Sequence, residues 1–200
     1  MKAIHSCMFV VFAAGCLDTA GDNVQESTSE AEGAVTAVPD PSLAITPGPI
    51  VNGASVLCLG IRGSSRQSGA DALIGTCDAN SATQHWHVSG TTTVGGLFGW
   101  QLANGVGKCL GVQGSSTASG AHVVQVTCGS TVDHSQIWRP LIVFDGTFFG
   151  FTADPGDGFY WLLNGHSGLC LGVHQSSTSS GALVVQGFCN SSSATQQWGL

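Results

Sequence analysis

The side chains of this chain with the means to do chemistry are its cysteines, a close pair of histidines and a close pair of aspartates. Six of the eight cysteines fall into three pairs, Cys58 with Cys77, Cys109 with Cys128 and Cys170 with Cys189, each nineteen positions apart. Thiols at such spacing either hold a metal or join to one another. Structural zinc sites gather cysteines as C-x2-4-C, a spacing absent here, whereas a regular long spacing in an exported chain is that of a disulfide framework. The "HWH" of His85 to His87 sets two imidazoles on one face of a strand and reads as a pair of surface histidines, so no metal is expected. Asp154 and Asp157 lie in "DPGDG", whose proline and glycines make it a turn rather than a catalytic carboxylate pair. The sequence has no G-x-S-x-G, no H-E-x-x-H and no phosphate loop. The expectation is a non-enzyme with no cofactor.

The elements that must position these residues are strands. Charged residues make up 8% of the chain, hydrophobic ones 42%, and there are 29 glycines, a balance of strands and turns rather than helices. The net charge is −7, and beyond the first few residues only Arg62, Arg66, Lys108 and Arg139 are basic, so nucleic acid is excluded as a partner.

The cysteine pairs belong to three internal repeats. Each opens with Cys-Leu-Gly followed by Ile61, Val112 or Val173, passes through a Ser/Thr/Gly-rich turn to "SGA", and continues as an apolar stretch into the second cysteine. That pattern is strand, turn, strand. Each repeat ends in Gln-x-Trp, at Gln84 and Trp86, Gln136 and Trp138, Gln196 and Trp198. One intervening residue puts both side chains on the same face of a strand, where the tryptophan fills the core and the amide ties down a neighbouring backbone. The repeats begin alike too, with Asn-Gly inside Val51 to Gly53, Ala103 to Gly105 and Leu163 to Gly165. Four strands per unit cannot bury a core alone, so the three units must pack together.

Upstream, Lys2 precedes the apolar run "CMFVVFAAG", which suits a signal peptide over residues 1–15. "FAAGC" also resembles a bacterial lipobox that would leave Cys16 to carry a lipid; ordinary cleavage after small residues would give a secreted form. Residues 16–47 hold six acids, no Lys or Arg and no aromatic residue, the composition of a disordered acidic tether. The only membrane contact expected is through a lipid anchor.

From about Gly48 to Leu200, the order N-G, C-L-x-V, S-G-A, Cys and Q-x-W resembles the ricin B-chain type β-trefoil lectin family. The resemblance implies an all-β fold in which twelve strands form a six-stranded barrel capped by three hairpins. The repeats run over about 48–93, 94–143 and 144–200, and each has one disulfide. It implies carbohydrate partners bound at up to one shallow site per repeat. In the family an aspartate two residues after the first cysteine takes the sugar hydroxyls, and a ring two residues before the second cysteine stacks on the sugar. Here the aspartate position holds Gly60, Gly111 and Gly172, and the ring position holds Gly75, Val126 and Gly187. The polar position before the Q-x-W glutamine is Thr83, Ser135 or Thr195. Two readings stay open. Either sugar is held by other groups, with Gln113, His122 and Asp133 as candidates in the second repeat and His174, Gln175 and Asn190 in the third, or the trefoil has become a protein-binding or structural module. The aromatics between Phe144 and Trp161 either supply stacking or belong to the opening strand of the third repeat and a loop over the barrel.

Overall fold

A computed structural model describes residues 47–130, 133–142 and 158–200. The proposed signal, Cys16, nearly all of the tether, the Asp154 and Asp157 turn and most of the Phe144 to Trp161 connection lie outside the described residues.

The first repeat supplies β1 (Val51–Asn52), β2 (Cys58–Ile61), β3 (Ala72–Gly75) and β4 (Trp86–Val94). The second supplies β5 (Leu97–Asn104), β6 (Lys108–Val112), β7 (Val123–Thr127) and β8 (Ile137–Ile142). The third supplies β9 (Phe159–Asn164), β10 (Cys170–Val173), β11 (Val184–Gly187) and β12 (Trp198–Gly199). The outer strands of each repeat make a barrel. β1 pairs with β12, β12 with β9, β9 with β8, β8 with β5 and β5 with β4, all antiparallel. The ring closes where Gly48 and Trp86 exchange backbone hydrogen bonds. The inner strands of each repeat form a hairpin: β2 with β3, β6 with β7, β10 with β11.

The three hairpins interlock as a cap. Gly69 N–H donates to the Gln125 carbonyl, Gly120 N–H to that of Gln186 and Gly181 N–H to that of Ile74. Each receiving residue returns a bond from its own N–H to Ala70, Ala121 or Ala182. The "SGA" signature is therefore the docking edge between successive repeats, and each seam is a short piece of antiparallel ladder. Side chains alternate across these strands, so Ala72, Val123 and Val184 enter the core while Asp71, His122 and Leu183 face outward.

The core is organised by Trp86, Trp138 and Trp198, all fully buried. Their indole N–H groups donate to the carbonyls of Leu59, Leu110 and Leu171 at 2.9, 3.0 and 3.0 Å. A large apolar side chain is thereby buried without leaving its one polar atom unmatched. Disulfides join Cys58 to Cys77, Cys109 to Cys128 and Cys170 to Cys189, with Cα atoms 5.0, 4.9 and 5.1 Å apart.

The repeat openings show what the Asn-Gly pairs do. Asn52, Asn104 and Asn164 are fully buried, and each Oδ1 accepts backbone N–H groups of the turn that follows. Asn52 and Asn164 also donate to the carbonyls of Thr195 and Ser135, at the end of the preceding repeat in the ring. Asn104 instead donates to Gln125 Oε1 at 2.9 Å.

The same turn holds a departure from threefold symmetry. Gly107 and Gly168 adopt φ of 73° and 70°, and the equivalent residue of the first repeat, Val56, adopts 57° while 72% exposed. A β-branched side chain is strained in that left-handed region by about 1–2 kcal/mol, and little apolar burial offsets the strain here. Val56→Gly is therefore expected to raise stability by about 1 kcal/mol, after allowing for the greater freedom of glycine in the unfolded chain. A urea midpoint that stayed put or fell would contradict this account of the turn.

Candidate functional site

The outward face of each hairpin is where the family resemblance implies a sugar site, and the Q-x-W glutamine already occupies it. Gln84 accepts from Asp78 N–H at 2.7 Å and donates to the Thr76 carbonyl at 3.0 Å, bridging both neighbours of Cys77. Gln196 makes the same clasp on Asn190 and Phe188 around Cys189. Gln136 does so on Gly129 and Thr127 around Cys128 and also donates to Asp133 Oδ2 at 3.1 Å. Held this way, the glutamine stems lie against the glycines at the aspartate positions.

A Cβ at Gly60 would sit 2.8 Å from Gln84 Cγ, and one at Gly172 2.9 Å from Gln196 Cγ. At Gly111 the nearest atoms are Val126 Cγ2 at 3.1 Å and Gln136 Cγ at 3.2 Å. Glycine is therefore a packing requirement at Gly60 and Gly172 and a tight fit at Gly111, as well as a missing carboxylate at all three. Gly60→Ala is expected to cost about 1–2 kcal/mol by overpacking, because the clasp stops Gln84 from swinging away, and Gly111→Ala is expected to cost less. Equal unfolding midpoints for the two variants would rule out the steric account.

The candidate side chains divide into two groups. Asp133 is committed to the frame: its carboxylate accepts from Ser135 N–H, from Ser135 Oγ at 2.6 Å and from Gln136 Nε2. Asn190 forms a turn, its Oδ1 accepting from Ser192 N–H at 3.0 Å, and is otherwise exposed. Gln113, His122, His174 and Gln175 belong instead to the hairpin cap. Gln113 N–H donates to the His122 carbonyl and His174 N–H to that of Leu183, the same cross-strand place that Arg62 and Asp71 hold in the first repeat. Gln113, His174 and Gln175 are exposed, with no side-chain hydrogen bond to the described residues. Gln175 adopts φ of 53° where the equivalent Gly63 and Gly114 adopt 59° and 61°. His122 Nδ1 lies 3.3 Å from Asp71 Oδ1, and Arg62 Nε donates to Asp71 Oδ2 at 3.2 Å, so one carboxylate joins two repeats.

Sequence reasoning passed over Asp71 and the two buried glutamines Gln125 and Gln186. Gln125 Nε2 donates to the carbonyls of Ser65 and Gln67, and Gln186 Nε2 to those of Ser116 and Ala118, each reaching into the preceding repeat. The signal was their shared place three residues before the second cysteine, where the first repeat has Ile74. Among the described residues no group of three or more His, Cys, Asp or Glu could hold a metal ion.

The sequence profile of the ricin-type beta-trefoil lectin domain-like family matches residues 48–126 and 147–200, more than half of the chain. The chain belongs to that family. No curated protein matches it. Among solved structures, the designed threefold-symmetric protein ThreeFoil is 28% identical with a TM-score of 0.60, over 75% of this chain and 94% of that one. The exo-beta-1,3-galactanase 1,3Gal43A from Clostridium thermocellum is 24% identical with a TM-score of 0.61, over 81% of this trefoil-bearing chain and 30% of the galactanase. The agglutinin from Abrus precatorius is 21% identical with a TM-score of 0.54, over 76% of this chain and 47% of the agglutinin. The last two share the fold with this ricin-type chain across a fraction of their own length.

Proposed function

We infer that this ricin-type trefoil is a non-catalytic carbohydrate-binding module, exported from a bacterial cell and presented by the acidic tether, with Cys16 as a lipid anchor. The observation that carries the reading is the hairpin cap. It keeps the frame of a lectin-like family in all three repeats while leaving Gln113, His174 and Gln175 exposed with no internal hydrogen bond among the described residues. Amides and imidazoles of this kind donate to and accept from sugar hydroxyls. Shallow sites of this sort bind single sugars weakly and gain strength when several are engaged at once.

The closed glycine positions favour a second reading, a trefoil that has lost sugar binding and serves as a protein-binding module. A glycan array probed with the whole chain, disulfides formed and displayed multivalently, separates the two. Signal that a free sugar competes away supports the lectin; a blank array from folded protein supports the module. Partitioning of the exported protein into the detergent phase tests the anchor, and recovery in the aqueous phase would leave a secreted form.

A further inference from the structure

The three seams of the cap are built on one plan, so each serves as a control for the others. In the seam between the first and second repeats, Arg62 and Arg66 lie on the first hairpin, and Lys108 and His122 come from the second. Arg66 sits between Ser65 and Gln67, the two residues whose carbonyls Gln125 holds. Lys108 Nζ donates to Thr127 Oγ1 at 3.1 Å, and that hydroxyl shares a 2.9 Å hydrogen bond with Ser68 Oγ across the seam. Three of the four Lys and Arg residues in 48–200 therefore border this one seam. The equivalent residues of the second seam are Gln113, Thr117 and Leu169, and those of the third are His174, Thr178 and Leu57. The frame does without this charge twice, so folding does not require it.

We propose that the seam between the first and second repeats is a binding site for an anionic glycan, one carrying carboxylate or sulfate groups. The proposal rests on the carbohydrate reading above and adds the ligand class. Arg62 spends only Nε on Asp71, which leaves its terminal N–H groups without a partner among the described residues on a side chain 54% exposed. Arg66 makes no side-chain hydrogen bond to the described residues and is exposed. Guanidinium groups match carboxylate and sulfate oxygens with paired donors, while the Ser68 and Thr127 hydroxyls suit the sugar ring beside the charge. Asp71 offsets one positive charge and, with His122, fixes where Arg62 points. Arg62 follows Gly60 by two residues on the outward face of the first hairpin, so the site borders that closed position without needing a side chain there.

The test is retention of the full, disulfide-bonded chain on immobilised polygalacturonate and heparin, with uncharged dextran and galactan as neutral counterparts. The expected result is stronger retention on one or both anionic polymers than on the neutral ones, lost progressively with salt. Retention on polygalacturonate shows that carboxylate suffices, whereas retention on heparin alone, which carries both groups, shows that sulfate is required. Arg62→Gln combined with Lys108→Gln should weaken that binding by about tenfold without lowering the melting temperature. Asp78→Asn, which changes net charge by the same sign as adding one cation but lies in another turn of the first repeat, should change it by less than about twofold. Retention of neutral but not anionic polymers, or unchanged anionic binding by the double variant, overturns the proposal and leaves the carbohydrate reading standing. Absence of retention on every polymer overturns the anionic-glycan proposal, and the glycan array then decides the carbohydrate reading.

Discussion

Trp138→Ala is expected to remove about 3–5 kcal/mol of stability, the cost of truncating a fully buried tryptophan. Two effects add. The lost ring leaves a cavity in a core that Trp86 and Trp198 share, and the Leu110 carbonyl loses its 3.0 Å donor while buried. Trp138→Phe separates them, since it keeps most of the apolar volume and deletes only the N–H, and is expected to cost clearly less than alanine. Denaturant unfolding of both variants checks this. Equal losses for alanine and phenylalanine would mean that the hydrogen bond, and not the packing, dominates. A domain of this size has about 5–15 kcal/mol in total, so the alanine variant should be close to unfolding at physiological temperature.

The second large effect is expected at the disulfides. Replacing Cys109 and Cys128 together by serine should cost about 2–5 kcal/mol, chiefly because the unfolded chain regains the freedom of the loop they close. The loss should depend on Gln136. That glutamine holds Thr127 and Gly129, the residues on either side of Cys128, so clasp and bridge fix the same few atoms by independent means. The unfolded-chain part of the loss is blind to the clasp, but in the folded state the clasp still holds the loop with the bridge gone, and the bridge does with the clasp gone. Removing both should therefore cost more than the sum of the separate losses, by about 0.5–3 kcal/mol in a double-mutant cycle with Gln136→Ala. Strict additivity would show that the two devices act on unrelated parts of the fold.

The fold was legible because its determinants repeat. Three cysteine pairs at one spacing, three Gln-x-Trp ends and three Asn-Gly openings each carry a structural duty that is local in sequence, and threefold recurrence separates them from chance. The site was less legible because it depends on where side chains point across seams. Asp133 could offer its carboxylate to a ligand or turn it inward, and only the position of Ser135 and Gln136 shows that it turns inward. The glycines at the aspartate positions announced a missing carboxylate in the sequence. That they also make room for the glutamine stems follows from distances of 2.8–3.2 Å between residues more than twenty positions apart. Asp71 and His122 form their contact between repeats, where no spacing within a repeat could indicate it.

Ring closure sets a condition on how the protein is made. β1 has two residues, and its partner across the ring is β12, with Val51 opposite Gly199 and Asn52 opposite Trp198. A ribosome delivers Val51 long before Gly199, so the nascent first repeat waits with an open edge while the other two are synthesised. Neither its buried asparagine nor the last tryptophan can reach its final place until the last strand has emerged. Assembly of the finished ring therefore waits for the last strand, whatever the first two repeats have already formed. The bridge within each repeat can form earlier than the ring, since both of its cysteines lie in one hairpin.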